Sequence, residues 1–110
     1  MISTKDLQPL FHDCMPLFIS LGDEVRLTII EALAASLTSS QGGLNVKEIT
    51  EKTSLSRPAI SHHLKILKNA GLIGVKRKGT CNYYFLTVEE PTKRLMELGN
   101  MLTQFLDMNV

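Results

Sequence analysis

The chain has no tryptophan and only two cysteines, and from Lys52 to Val88 it has no acidic residue at all. Each absence excludes something. Cys14 and Cys81 stand too far apart in sequence to read as a disulfide framework. No apolar run approaches the roughly 20 residues a membrane helix requires, so no membrane partner is expected. The opening stretch "MISTKDLQPLFHDC" carries acids and a proline where a signal peptide would be basic and then apolar, which points to a soluble, cytoplasmic protein. There is no glycine-rich phosphate loop, no serine–histidine–acid set and no metal-ligand cluster. No enzyme is therefore expected, with no catalytic residues, no cofactor and no metal. What remains is 110 residues of ordinary globular composition, 44% hydrophobic and 21% charged, which suits one domain spanning 1–110.

The net charge of +1 hides an uneven distribution. Seven basic residues fall in the acid-free stretch: Lys52, Arg57, Lys65, Lys68, Lys76, Arg77 and Lys78. The rest of the chain holds five basic residues against all eleven acids. A charge run is often only a solvated face, but 37 residues without a carboxylate suggest a surface built for a polyanion.

The hydrophobic pattern supplies the architecture. Leu7, Leu10, Phe11, Cys14, Phe18 and Leu21 form a helical stripe over about 5–21, with a kink or break expected near Pro16. "GDEVRLTIIEALAAS" reads as a second helix with Asp23 as its N-cap, and "LTSSQGG" (37–43) as a loop. Asn45 and Glu48 make a capping-box pair for a short third helix. Ser56 caps a fourth, with Pro58 tolerated in its first turn, and Gly71 stops it. The period then changes: Val75 to Lys78 and Asn82 to Leu86 are β-rich runs around Gly79 and Thr80. A last helix over about 91–108 carries Leu95, Leu98, Leu102 and Phe105 at heptad-like steps.

Helix, short helix, tight turn, helix, hairpin is the order of a winged helix-turn-helix. The expected fold is mainly α with a small β-hairpin: helix-turn-helix about 46–70, wing about 74–87, and flanking N- and C-terminal helices. The apolar faces of those flanking helices have little core to enter, so Leu7, Leu10, Phe11, Phe18, Leu95, Leu98, Leu102 and Phe105 are assigned to a homodimer contact.

On the fourth helix, at 100° per residue, Ile60, Leu64 and Leu67 fall on one side. Pro58, Ser61, His62, Lys65 and Asn69 fall on the other, with Arg57 and Lys68 at its margin. The adjacent histidines therefore separate: His62 points outward, at the depth of major-groove base edges, and His63 is a boundary residue bonding within its own domain. Arg57 suits a guanine or a phosphate, and Lys65 and Lys68 suit phosphates. The helix start at Ser56 offers free N–H groups to another phosphate. Lys76, Arg77, Lys78 and Gly79 put charge at a turn narrow enough for a minor groove.

These residues resemble the ArsR family of small bacterial winged-helix repressors over roughly Phe18 to Thr87. "LGDEVRLTIIEAL" resembles the family's second helix, and "LSRPAISHHLKILKNAGLIGVKRKGTCNYYFL" its recognition helix and wing. The resemblance implies a dimer through the first and last helices. It also places Arg57, Pro58, Ser61 and His62 near base edges, and Lys76 to Gly79 on the DNA backbone. It does not supply an inducer. The paired cysteines of arsenic- and cadmium-type members are missing from "LNVKEI", and the histidines of zinc-type members from "TKRLMELGNMLTQFL". The expectation is a homodimeric, sequence-specific transcriptional repressor of double-stranded DNA, released by an unknown inducer. The competing reading is a winged-helix protein-interaction module that does not bind DNA.

Overall fold

The computed structural model describes residues 2–38 and 42–109, so part of the 37–43 loop lies outside the described residues. The element order is α1 (Thr4–Leu21), α2 (Glu24–Ala35) with a closing 3-10 turn (Ser36–Thr38), α3 (Val46–Thr53), α4 (Arg57–Asn69), β1 (Ile73–Lys78), β2 (Cys81–Leu86) and α5 (Glu89–Asn109). The fold is a mainly helical winged helix-turn-helix with one antiparallel hairpin.

Local chemistry explains most boundaries. Asp23 caps α2 by accepting from the Val25 N–H at 2.8 Å. At α3 the Asn45 side chain accepts from the Glu48 N–H at 2.8 Å, and Glu48 returns to the Asn45 N–H at 3.0 Å, closing both ends of the box. Ser54 ends α3 in the left-handed region, φ 58°. Ser56 then starts α4, where Pro58 loses no intrahelical bond because the first-turn N–H groups have no partner anyway. Gly71, at φ 77°, turns the chain out of α4 into the hairpin.

The core is made where α2, α3, α4 and the base of the hairpin meet. Ile29, Leu33, Ile49, Ile60 and Leu67 are completely buried, and Leu64 and Leu72 almost so. Burying each such side chain contributes about 1.5–3 kcal/mol.

One pairing joins the wing to this body. Leu44, just before α3, exchanges two backbone hydrogen bonds with Tyr84 of β2, at 2.9 and 2.7 Å. Gly43 makes the approach possible, since any β-carbon there would run into the Tyr84 carbonyl.

The break allowed for in the first helix does not occur, and two of the residues assigned to the dimer contact are already covered within the protomer. Helix α1 is unbroken through both Pro9 and Pro16. Both prolines are exposed, so the carbonyls they leave unpaired, of Lys5 and His12, sit on the solvent side, where water can satisfy them. Leu7 and Leu98 are not left over for a partner: they are 6% and 3% exposed within one protomer, where α1 packs on α5. Leu10, Leu102 and Phe105 are half-buried, while Phe11, Phe18 and Leu95 stay exposed.

Candidate nucleic-acid interface

Helix α4 presents two unlike faces. Ile60, Leu64 and Leu67 anchor it in the core. Opposite them, Arg57, Pro58, Ser61, His62, Lys65, Lys68 and Asn69 are all exposed, and no carboxylate lies among them. Ser56 is exposed at the head of the helix, its hydroxyl accepting from the Ala59 N–H at 3.4 Å.

The two histidines take different roles, as the helical wheel requires. His62 stands on the exposed face; His63 is half-buried, its ring edge-on to that of His62 with centroids 5.5 Å apart. Nδ1 of His63 lies 3.4 Å from a terminal nitrogen of Arg26. Arg26 is the hub of this corner. Its Nε donates to the Ser20 carbonyl at 2.7 Å and its other terminal nitrogen to the Ile19 carbonyl at 3.1 Å. Its side chain also stands 3.7 Å from the Asp23 carboxylate. One guanidinium thus satisfies the end of α1 and ties it to α2 and to α4. The backbone N–H of Arg26, then that of Val25 and the nearby guanidinium, hold the Asp23 carboxyl below its ordinary value, although its partial burial works the other way.

The hairpin runs antiparallel, pairing Lys78 with Cys81, Arg77 with Asn82 and Val75 with Tyr84. Because side chains alternate across a strand, the "KRK" cluster is divided between two faces. Arg77 shares one with Asn82, Val75 and Tyr84, the face turned toward α4. Lys76 and Lys78 share the other with Tyr83 and Cys81, and the Lys78 ammonium lies 5.7 Å from the centre of the Tyr83 ring. At the tip, Gly79 takes φ 63°, and its carbonyl accepts from Arg77 Nε at 3.1 Å. Lys76, Arg77, Lys78 and Gly79 are all exposed.

A trough runs between α4 and the hairpin, lined by Ser61, Lys65 and Lys68 on one side and by Asn82 and Tyr84 on the other. Asn82 was not singled out from the sequence. Counting back from a two-residue turn at Gly79–Thr80 puts it opposite Arg77, and that count was available.

His12 and Cys14, two residues apart in α1, and Cys81 in the wing stand apart from one another. His12 is exposed and Cys14 is 1% exposed, so the two do not converge on an ion. Burial, reinforced by Asp13 and only partly offset by Arg94, pushes the Cys14 thiol up. Cys81 is exposed in the wing.

A helix anchored by its apolar face, exposing a basic carboxylate-free face beside a tethered hairpin, defines a winged helix-turn-helix DNA-binding regulator. The family described as "Bacterial regulatory protein, arsR family" matches residues 23–75. The chain is 35% identical over 92 residues to the uncharacterized HTH-type transcriptional regulator MJ1325 of Methanocaldococcus jannaschii, covering 84% of this chain and 97% of that one. It is 33% identical over 90 residues to the transcriptional repressor SdpR of Bacillus subtilis, covering 82% and 89%. Among solved structures, the homodimeric winged helix-turn-helix DNA-binding domain of Mb0332 from Mycobacterium bovis superposes with a TM-score of 0.64 at 25% identity, covering 92% of this chain and 88% of that one. The chain belongs to the ArsR family of transcriptional regulators, and the reading of it as a protein-interaction module without DNA is set aside.

Proposed function

We propose that this regulator is a homodimeric cytoplasmic repressor without catalytic activity, and that the whole chain, 1–110, works as one winged helix-turn-helix unit. Helix α4 enters the major groove with Arg57, Pro58, Ser61 and His62 toward base edges. Ser56, Lys65 and Lys68 hold phosphates beside it, and the wing, through Lys76 to Gly79, meets the backbone of the next groove. The observation that carries this reading is the exposed face of α4 and the wing, which presents Arg57, Lys65, Lys68, Lys76, Arg77 and Lys78 without a carboxylate.

Dimerisation rests on shape. The protomer extends 54 × 25 × 20 Å with a radius of gyration of 16.8 Å, against about 13 Å for a compact chain of this length. Helix α5 packs chiefly on α1, and between them the two helices leave Phe11, Met15, Phe18, Ile19, Leu95, Met96, Leu106 and Met108 exposed. A second copy covers that surface, with Phe11, Phe18 and Leu95 at its centre and the half-buried Leu10, Leu102 and Phe105 supporting them. The similar Mb0332 domain is a homodimer, which supports association of two copies. Two α4 helices then meet two half-sites, and a signal releases the complex only if it binds the free and DNA-bound forms with different affinity.

The test is fluorescence anisotropy on the tightest-binding fragment selected from genomic DNA. The logarithm of affinity is expected to fall linearly with the logarithm of salt concentration, and Lys65→Ala to make that slope shallower by about one. Salt-independent binding overturns the reading.

A further inference from the structure

A second cleft, of about 310 Å³, opens on the other side of Asn82 from the α4 trough. Its walls come from three elements: Asn45, Val46 and Lys47 at the start of α3, Arg57 at the start of α4, and Thr80, Cys81, Asn82 and Tyr84 of the hairpin. Lys47, Arg57, Thr80 and Asn82 are exposed, and no carboxylate lines the space. The nearest acid on α3, Glu48, is engaged at its own cap with the Asn45 N–H. The distance across the cleft is set by backbone, since the two Leu44–Tyr84 hydrogen bonds hold the α3 entry against β2.

Two features point to an anion. Lys47 and Arg57 occupy the second and first positions of their helices, the ends at which a cation gains nothing from the helix dipole and an acid is favoured. An anion between them would account for that placement. Thr80 and Asn82 add a hydroxyl and an amide, neutral donors that grip phosphate oxygens without reading a base. The cleft is also continuous with the face of α4, sharing Arg57 with it and Asn82 and Tyr84 with the trough.

We propose that this cleft holds a backbone phosphate of the bound DNA, clamped between Lys47 and Asn82 with Thr80 at its rim, and with Arg57 standing between that phosphate and the base edges. The inference rests on the DNA-binding reading above and extends it to α3 and to the second strand of the hairpin. The wing then does more than touch a neighbouring groove with lysines: it closes on one strand against the body of the protein.

The experiment compares wild type, Lys47→Ala, Asn82→Ala and Lys65→Ala by anisotropy on the selected fragment and on a random-sequence duplex of equal length. All three side chains are exposed, and circular dichroism verifies the fold of each variant. Lys47→Ala is expected to weaken both duplexes by the same factor and to make the salt slope shallower by about one. In duplexes carrying one methylphosphonate at a time, one neutralised position is expected to weaken wild type several-fold and to leave Lys47→Ala unaffected. Wild-type affinity and slope in both Lys47→Ala and Asn82→Ala, with Lys65→Ala still flattened, overturns the cleft and leaves the α4 reading standing. Salt-independent binding by wild type overturns that reading and the cleft with it.

Discussion

The helix-turn-helix body and the α1–α5 pair are built to different standards of completeness. The body closes on itself, with Ile29, Leu33, Ile49, Ile60 and Leu67 fully buried from three helices. The α1–α5 pair buries Leu7, Cys14 and Leu98 between its helices and leaves large apolar side chains in water along both. Folding satisfies the first region within one chain; in the proposed dimer, a second copy satisfies the other. On that proposal position and affinity are separated in the molecule, because the body would hold the DNA-facing side chains and the pair would set how many copies of them act together.

The sharpest test of that contrast is a matched pair of truncations. Ile60→Ala empties a site in the closed core and is expected to lower the unfolding free energy by about 2–5 kcal/mol in denaturant melts. Phe11→Ala, read at protein concentrations low enough to favour single chains, is expected to cost far less, and to cost more as concentration rises. Equal losses at all concentrations would erase the distinction.

Next in size is the combined Phe11→Glu and Leu95→Glu variant. Sedimentation is expected to show monomers with unchanged helical content, and DNA affinity to fall toward that of a single half-site. A dimer that survives both charges would move the contact elsewhere.

The two cysteines sharpen the comparison further. Cys81 is expected to react with a maleimide in the native protein, whereas Cys14, 1% exposed and with its thiol pushed up by burial, reacts only as denaturant opens the α1–α5 pair. If Cys14 labels before the body unfolds, the pair separates first; if both events coincide, the two regions are one cooperative unit.

The smallest effect concerns Asp23, at the junction of the regions. Its carboxyl is held below the ordinary value, so the stabilisation it brings is present above the ordinary carboxylate range and is lost as pH falls through its folded value. The melting-temperature gap between wild type and Asp23→Ala is expected to be widest near neutral pH and to narrow in acid. A gap that is constant with pH would assign the effect to shape and not to charge.

Most of the body was legible because its signals are local. The Asn45–Glu48 box, the Ser56 cap with Pro58, the Gly71 stop and the 3.6 period of α4 each lie within a few residues. What was not legible is long-range or depends on solvent. The Leu44–Tyr84 bridge joins residues 40 apart and leaves only a bare "GG" in the sequence. The continuity of α1 through Pro16 depended on which side of the helix met water. Leu7 and Leu98 carry the same stripe signature whether the neighbouring helix belongs to the same chain or to another. Lys47 stood outside the acid-free stretch, and its place beside the hairpin follows from the bridge, not from charge counting.

That bridge has a consequence for how DNA is chosen. With Tyr84, in the middle of β2, bonded to the α3 entry, the proposed DNA-contacting wing is held at a set spacing from the body and resists following a groove that is wider or narrower. The duplex has to do the adjusting, at an elastic cost that varies with base sequence. In the proposed complex, flexible pyrimidine–purine steps are then expected to be favoured at positions that no side chain reaches, and the tethered wing would act as a gauge of how readily DNA bends.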